Sequence, residues 1–269
     1  MTSAIQDLAI DAHVHLYPAY DWRVAARSLA ENLGRISGDR TIRLGLLAEG
    51  AGFGFFREAR SVPGRYRDAD LALEPCGDAC ALRIREGQQI LGYLIAGRQI
   101  VTRERLEVLA LGADADIADG APVKDVLERV RDAGAVPVLC WSPGKWFFER
   151  GRVVRALLES PASGRFLLGD TALRPKGWGY PALLALGRRR GFKVLAGSDP
   201  LPLAGEERRI GRYGVRVRAE FDPEAPAESV RRMLFYGNVF LETAGARLCP
   251  LQFAWRWVAN WKRKAARGG

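Results

Sequence analysis

Strand-like apolar runs alternate with helix-like segments along most of this 269-residue chain. The run Leu8–Val14 predicts a first buried strand, and Ile42–Ala48 predicts a second one. Between them, Trp22–Leu33 predicts a helix, because its apolar residues recur at helical spacing. Between about residues 70 and 105 the pattern changes to short apolar runs separated by turn residues, which predicts antiparallel hairpins.

The strand and helix alternation resumes after these hairpins. The predicted strands are Leu106–Leu111, Val136–Cys140, Phe166–Leu168, Lys193–Ala196 and Val215–Ala219, and the predicted helices are Val123–Ala133, Arg150–Glu159, Pro181–Arg190 and Ala227–Phe235. Seven or eight such strands in about 250 residues have the rhythm of a (β/α)₈ barrel. We therefore predict an α/β fold, a distorted TIM-like barrel over residues 1–250 that includes the hairpin excursion. A doubly wound open sheet is the alternative, because strand order cannot be read from one sequence.

Residues 251–269 predict an aromatic and basic helical tail. It contains three tryptophans and then four cations, which are Trp255, Trp257, Trp261, Lys262, Arg263, Lys264 and Arg267. One interpretation is a closing helix docked on the barrel. The other is an interfacial helix in weak peripheral contact with a membrane, since indoles favour the headgroup region and cations favour anionic lipid.

The composition indicates a soluble globular protein, with 48% hydrophobic and 27% charged residues. The chain start lacks the basic region and the long apolar run of a secretory signal, and four cysteines are too few for a disulfide framework. We therefore expect a cytoplasmic protein. The net charge of +10 favours anionic partners. No helix-turn-helix, zinc finger or aromatic RNA platform is recognisable, so we expect no sequence-specific nucleic-acid binding.

The segment Asp11-Ala-His13-Val-His15 carries the most specific chemistry in the chain. Side chains alternate along a strand, so residues 11, 13 and 15 share one side, and two imidazoles at this spacing can converge on a cation. His13 and His15 are also the only histidines in the sequence. A metal or catalytic role is therefore one hypothesis, and a structural remnant is the other.

This opening resembles the Asp-x-His-x-His start of the amidohydrolase and polymerase-and-histidinol-phosphatase (PHP) superfamilies, whose barrels carry metal ions at the strand ends. The similarity continues through residues 97–102, 107–112, 142–144 and 197–201, and Asp199 matches a family ligand position. Four other ligand positions of the family differ here and carry Gln99, Glu107, Ser142 and Leu201. The resemblance therefore implies a reduced site, in which His13, His15 and Asp199 hold one divalent ion, which is Zn, Mn or Fe.

The function hypothesis that follows is a metal-dependent hydrolase of PHP or amidohydrolase type. It acts on a small anionic substrate, a phosphoester, an amide or a lactone, through a metal-activated water. Asp199 or Glu49 accepts the proton, and Asp170, which follows a predicted strand, is a further candidate catalytic carboxylate. The alternative is a catalytically lapsed barrel that binds a ligand or partner, because several family ligands are replaced.

Aromatic and cationic residues lie in the loops that follow the predicted strands. The candidate substrate-binding residues are Lys145, Arg174, Lys176, Trp141 and Trp178. Aromatic walls with a few cations suit an anionic or phosphorylated small molecule, although such residues also pack on barrel rims.

Overall fold

Two open β-sheets form the framework of the computed structural model, which describes residues 4–38, 41–62, 64–160 and 164–265. In chain order the strands are β1 (Ala4–Val14), β2 (Ile42–Leu47), β3 (Arg67–Asp68), β4 (Leu71–Pro75), β5 (Ala81–Glu86), β6 (Gln89–Ile95), β7 (Gly97–Val101), β8 (Glu107–Leu111), β9 (Val136–Cys140), β10 (Leu167–Thr171), β11 (Val194–Gly197), β12 (Tyr213–Phe221) and β13 (Glu242–Gly245). The helices are α1 (Trp22–Ser37), α2 (Phe55–Ser61), α3 (Val123–Asp132), α4 (Phe148–Glu159), α5 (Ala182–Arg189), α6 (Pro226–Arg231) and α7 (Pro250–Ala265). A short 3₁₀ helix, Glu206–Arg209, precedes β12, and a π-helical turn, Arg232–Tyr236, follows α6.

The predicted TIM-like barrel is wrong, because the described residues form no closed ring of strands. The first sheet has eight strands in the order β13-β12-β1-β2-β6-β5-β4-β3, and the second has five in the order β11-β10-β9-β8-β7. Among the described strands, the parallel pairs are β1 with β2, β2 with β6, β9 with β10 and β10 with β11, and an isolated parallel bridge joins Glu49 to Arg98. The remaining strand pairs in the two sheets are antiparallel.

The hairpins are the physical reason for this difference. Strands β3 to β6 form a meander that pairs with β2 through β6, so this segment extends the first sheet. Strands β8 and β9 are almost fully buried and pair antiparallel. A strand that is buried on both faces reads as a continuous apolar run, which is also the pattern of a parallel barrel strand.

Apolar side chains from both sheets share one buried cluster. It includes Ile10 of β1, Leu44 of β2, Leu109 of β8 and Val138 of β9. A second cluster packs α3, α4 and α5 on the second sheet, and a third packs α1 on the first sheet. Burial of these surfaces is the main stabilising contribution to the fold.

The carboxyl ends of β1, β9, β10 and β11 position the candidate site, because the loops after these strands carry most of its side chains. The C-terminal helix α7 covers the same region, with Phe253 against Trp178 at a ring-centroid distance of 6.5 Å. Arg267 lies outside the described residues, as does the side chain of Lys264. Within the described residues, no helix is long and apolar enough to cross a membrane.

Candidate metal site

A buried carboxylate fixes the strand that carries the two histidines. Asp11 accepts hydrogen bonds from the backbone N–H groups of His13 at 3.2 Å, Ser198 at 2.8 Å and Gly211 at 2.7 Å. Burial raises the pKa of Asp11 to about 6, and the hydrogen bonds that it accepts act against that rise. Asp11 therefore joins β1 to the segment after β11, and it takes no part in the ligand cluster.

The close approach of β11 to β1 depends on a glycine. A Cβ at Gly197 would lie 2.4 Å from the Cβ of His13 and 2.5 Å from its backbone nitrogen, which leaves no room for a side chain. Two residues later, Asp199 has a φ of +46°, and its N–H donates to the carbonyl of His13 at 2.9 Å. Asp is one of the few residue types that adopts this left-handed region at modest cost. The turn thereby directs the Asp199 carboxylate at the histidines.

The ligand atoms of His13, His15 and Asp199 form a tight triangle. The two Nε2 atoms are 3.1 Å apart, and Oδ1 of Asp199 lies 3.7 Å from Nε2 of His13 and 3.5 Å from Nε2 of His15. A point equidistant from these three atoms is roughly 2 Å from each, which is the length of a zinc–nitrogen or zinc–oxygen bond. The three residues are the metal-ligand cluster found among the described residues. Their donor atoms fit one divalent ion with open positions.

The protonation state of the carboxylate also fits a ligand. Burial acts to raise the pKa of Asp199, but attraction to the two imidazoles and hydrogen bonding outweigh it and lower the pKa to about 2. The Thr171 hydroxyl donates to Oδ2 of Asp199 at 3.0 Å and holds the carboxylate in place. Asp199 is therefore ionised at neutral pH, which is the form that coordinates metal.

Two further side chains contact His13. Oε1 of Gln99 lies 3.0 Å from its Nε2, so a neutral amide oxygen stands beside the cluster. Sγ of Cys140 lies 3.8 Å from its Nδ1 on the other side of the ring. Metal-bound histidines are usually held through this second nitrogen by a carboxylate, a carbonyl or water, whereas here the neighbour is a thiol.

A cavity of about 330 Å³ opens onto the cluster. His15 and Asp199 line it, together with Lys145, whose Nζ donates to Oε1 of Glu107 at 2.8 Å. The other oxygen of Glu107 accepts from the Ser142 hydroxyl at 3.2 Å. The structure thus places Lys145, one of the predicted substrate-binding residues, in the cavity with its charge paired.

The predicted catalytic carboxylates Glu49 and Asp170 lie outside the cluster. Glu49 accepts from the backbone N–H of Phe56 at 3.2 Å, at the start of α2, and its burial raises its pKa. Asp170 accepts two hydrogen bonds from Arg174, at 2.9 and 2.6 Å, and one from the Tyr213 hydroxyl at 2.8 Å. Both oxygens of the Asp170 carboxylate therefore take part in a buried ion pair with Arg174. Arg174, a predicted substrate-binding residue, thus has its charge already paired within the protein.

The other predicted substrate-binding residues also lie away from the cavity lining. Trp141 is buried and packs edge-on against the half-exposed Trp178, at a centroid distance of 5.9 Å. Lys176 is exposed, and its backbone N–H donates to the carbonyl of Leu248 at 2.7 Å. None of these three side chains lines the cavity that opens onto the histidines.

Sequence reasoning missed the contribution of helix α7 to this cavity. Six residues of the helix line it, together with Tyr17 from the loop after β1, and they are Phe253, Arg256, Trp257, Asn260, Trp261 and Arg263. The helical spacing of Phe253, Trp257 and Trp261 does predict a shared face. Nothing in the local pattern indicates which surface that face covers.

Comparison with known proteins finds similarity at the level of structure alone. No protein-family profile and no curated protein matches the sequence. The structure of PsfC from Pseudomonas syringae PB-5123 matches with a TM-score of 0.56 at 16% identity, over 97% of this chain and 99% of PsfC. The lesion-specific endonuclease PfuEndoQ from Pyrococcus furiosus matches with a TM-score of 0.49 at 11% identity, over 87% of this chain and 57% of that one. Endonuclease Q in complex with a 27-mer duplex substrate with an abasic lesion matches with a TM-score of 0.45 at 11% identity, over 86% of this chain and 56% of that one.

These matches describe the fold. The similarity to PsfC shows a shared architecture, and its low identity carries no information about activity. The chain spans little more than half of either endonuclease Q structure, and both TM-scores are too low to support a conclusion.

Proposed function

We propose that this protein is a metal-dependent hydrolase of PHP or amidohydrolase type, acting on a small anionic phosphoester, amide or lactone. The observation that supports the proposal is the triangle of donor atoms from His13, His15 and Asp199, whose sides of 3.1 to 3.7 Å match ligands around one divalent ion. Two neutral imidazoles and one carboxylate are a donor set that suits Zn, Mn or Fe.

A divalent ion supplies Lewis-acid chemistry when it is bound: it lowers the pKa of water and polarises the bond that is to be broken. The protein orients the reacting groups. Asp199 is the ionised carboxylate closest to both imidazoles, and Thr171 fixes its second oxygen. We assign Asp199 to accept the proton of the attacking water and to return it to the leaving group. We do not assign this role to Glu49, because its carboxylate accepts a hydrogen bond from the Phe56 N–H at the start of α2.

The alternative function is ligand binding without turnover. The observation that favours it is the Glu107–Lys145 ion pair, because Glu107 stands at a position where the PHP superfamily has a metal-ligating histidine. A carboxylate that is already paired with an ammonium group is a poor ligand for a metal ion. This alternative predicts metal binding and substrate binding with no product.

Turnover by metal-reconstituted protein separates the two functions. Protein stripped with chelator and reloaded with Mn²⁺ or Zn²⁺ is assayed with p-nitrophenyl phosphate, bis(p-nitrophenyl) phosphate, an aryl amide and a simple lactone. We expect metal-dependent hydrolysis of at least one compound and a loss of at least about 100-fold in Asp199→Asn. Asp132→Asn, at an exposed position on α3, is the matched control and should keep full activity. Metal binding without any turnover would support the ligand-binding alternative.

We also propose that the outer face of α7 makes weak peripheral contact with anionic membranes. Leu251, Trp255 and Val258 are 83%, 62% and 50% exposed, and they follow one another at helical spacing. The segment Pro250–Ala265 contains no acidic residue and several cations, so its charge complements anionic lipid.

A further inference from the structure

Helix α7 forms one wall of the cavity, and an ion pair and an aromatic contact join it to the rest of the protein. Nε of Arg256 donates to Oε1 of Glu206 at 2.5 Å, and both side chains are largely buried. Phe253 packs against Trp178 and, within the helix, against Trp257 at a centroid distance of 5.5 Å. The side of α7 that carries Phe253 and Arg256 therefore lies over the cavity, and Trp257 and Trp261 in the cavity lining are themselves 52% and 66% exposed.

Of the described lysine and arginine side chains that line the cavity, Arg263 alone has no carboxylate partner. Lys145 is paired with Glu107 at 2.8 Å, and Arg256 is paired with Glu206. Arg263 has only a 3.4 Å hydrogen bond from Nη2 to the Asn260 amide oxygen.

The Nε atom of Arg263 is buried and has no hydrogen-bond partner among the described residues. A buried guanidinium N–H without an acceptor is destabilising, and such groups in native proteins call for an explanation. A ligand that brings an anionic group into the cavity would supply the missing hydrogen-bond acceptor.

The surroundings of Arg263 indicate what kind of anion fits. Trp257 and Trp261 line the same cavity as Arg263, so its lining combines aromatic rings with this cation. Tyr17 and Arg263 line the same cavity. Tyr17 in turn stacks on His15 at a centroid distance of 5.2 Å. The cavity lining thus combines His15, aromatic rings and the Arg263 guanidinium.

We propose that Arg263 is a specificity-determining residue, which binds the oxyanion of a small aromatic substrate whose ring lies against Trp257 and Trp261. The substrate class is an aryl or arylalkyl compound that carries a phosphate, phosphonate or carboxylate. This inference deepens the proposed hydrolase function and rests on it for the chemical step. The cavity of about 330 Å³ limits the substrate to a small molecule.

Titration of the full-length, Mn²⁺-loaded protein with phenylphosphonate tests the inference, because the C–P bond of this probe resists hydrolysis. We expect saturable binding, followed by tryptophan fluorescence and calorimetry, and at least about tenfold weaker binding in Arg263→Gln. Arg263→Lys should bind with intermediate affinity, because it keeps the charge and loses the guanidinium geometry. Lys262→Gln removes the same charge from the exposed neighbouring position and should change affinity less than about twofold. Benzyl alcohol and inorganic phosphate, which each lack one half of the probe, should bind more weakly.

The same variants distinguish failure of this inference from failure of the proposed function. If phenylphosphonate does not bind, or binds equally to Arg263→Gln, the inference is overturned even where Mn²⁺ binds normally. If Arg263-dependent binding occurs in protein that takes up no Mn²⁺, the anion site stands and the hydrolase proposal fails. Thermal melting of each variant verifies that the substitution leaves the fold intact.

Discussion

Substitution of Gly197 by alanine perturbs the geometry of the candidate metal site without replacing any of its ligand residues. The new Cβ would lie 2.4 Å from the Cβ of His13 and 2.5 Å from its nitrogen, whereas ordinary contacts begin at 3.4 Å. The two strands must therefore separate by about 1 Å. Metal–ligand distances tolerate only about 0.2 Å of error, so Asp199 should leave ligand distance.

The expected magnitude follows from this displacement. We expect Gly197→Ala to lose at least about 100-fold in affinity for Zn²⁺, the upper end of what altered support of a metal ligand costs. The crowding should also lower the free energy of unfolding by about 1–3 kcal/mol. Competition with a chromophoric chelator measures the first effect, and urea denaturation measures the second.

Gly179→Ala provides the control, because among the described residues no heavy atom beyond the two chain neighbours lies within 4 Å of the position that its Cβ would occupy. It should keep the stability and the metal affinity of the unchanged protein. Wild-type Zn²⁺ affinity in Gly197→Ala would refute the reasoning, since it would mean that the approach of β11 to β1 does not set the ligand geometry.

Three other substitutions test the roles assigned to single side chains. Asp170→Asn should lower the free energy of unfolding by about 3–5 kcal/mol, because it leaves the buried Arg174 charge unpaired. Calorimetry should show that its metal affinity is unchanged. A variant that keeps its stability and loses metal would contradict this role. Glu49→Gln should also bind metal with unchanged affinity, and a large loss of metal affinity would indicate that Glu49 belongs to the metal site. Trp255→Ser should reduce cosedimentation with phosphatidylserine vesicles, whereas Phe240→Ser, also at an exposed aromatic position, should not; equal binding by both would end the membrane proposal.

The strand and helix segments could be read from the chain, but their pairing could not. Most predicted segments coincide with observed elements, as Val136–Cys140 does with β9. The antiparallel pairing of β8 with β9 is set by contacts between distant segments, and a fully buried strand has the same apolar run in either direction. The predicted barrel therefore assumed a direction for these strands that the sequence does not encode locally.

The ligand cluster was more predictable than the rest of the site. His13 and His15 lie two residues apart, so strand geometry alone places them together, and a family resemblance identified Asp199. Asp170 has the same local signature as Asp199, a carboxylate directly after a buried strand. Its pairing with Arg174 and Tyr213 depends on burial and on a distant strand, which no local pattern reveals.

The wall that α7 contributes was unpredictable for a similar reason. A helix with aromatic residues at helical spacing can pack on a core, on a membrane or over a cavity, and the spacing is the same in all three cases. Its placement depends on the Arg256–Glu206 pair, whose partners are 50 residues apart in the chain.

The metal content of reconstituted protein tests the central claim most directly. Chelator-treated protein is reloaded with Zn²⁺ or Mn²⁺, passed through a desalting column and analysed for metal per chain. The proposed site predicts one tightly bound ion per chain in the unchanged protein and none in His13→Ala or Asp199→Ala, with Asp132→Ala unaffected. Protein that retains no metal, or variants that retain as much as the unchanged protein, would contradict it.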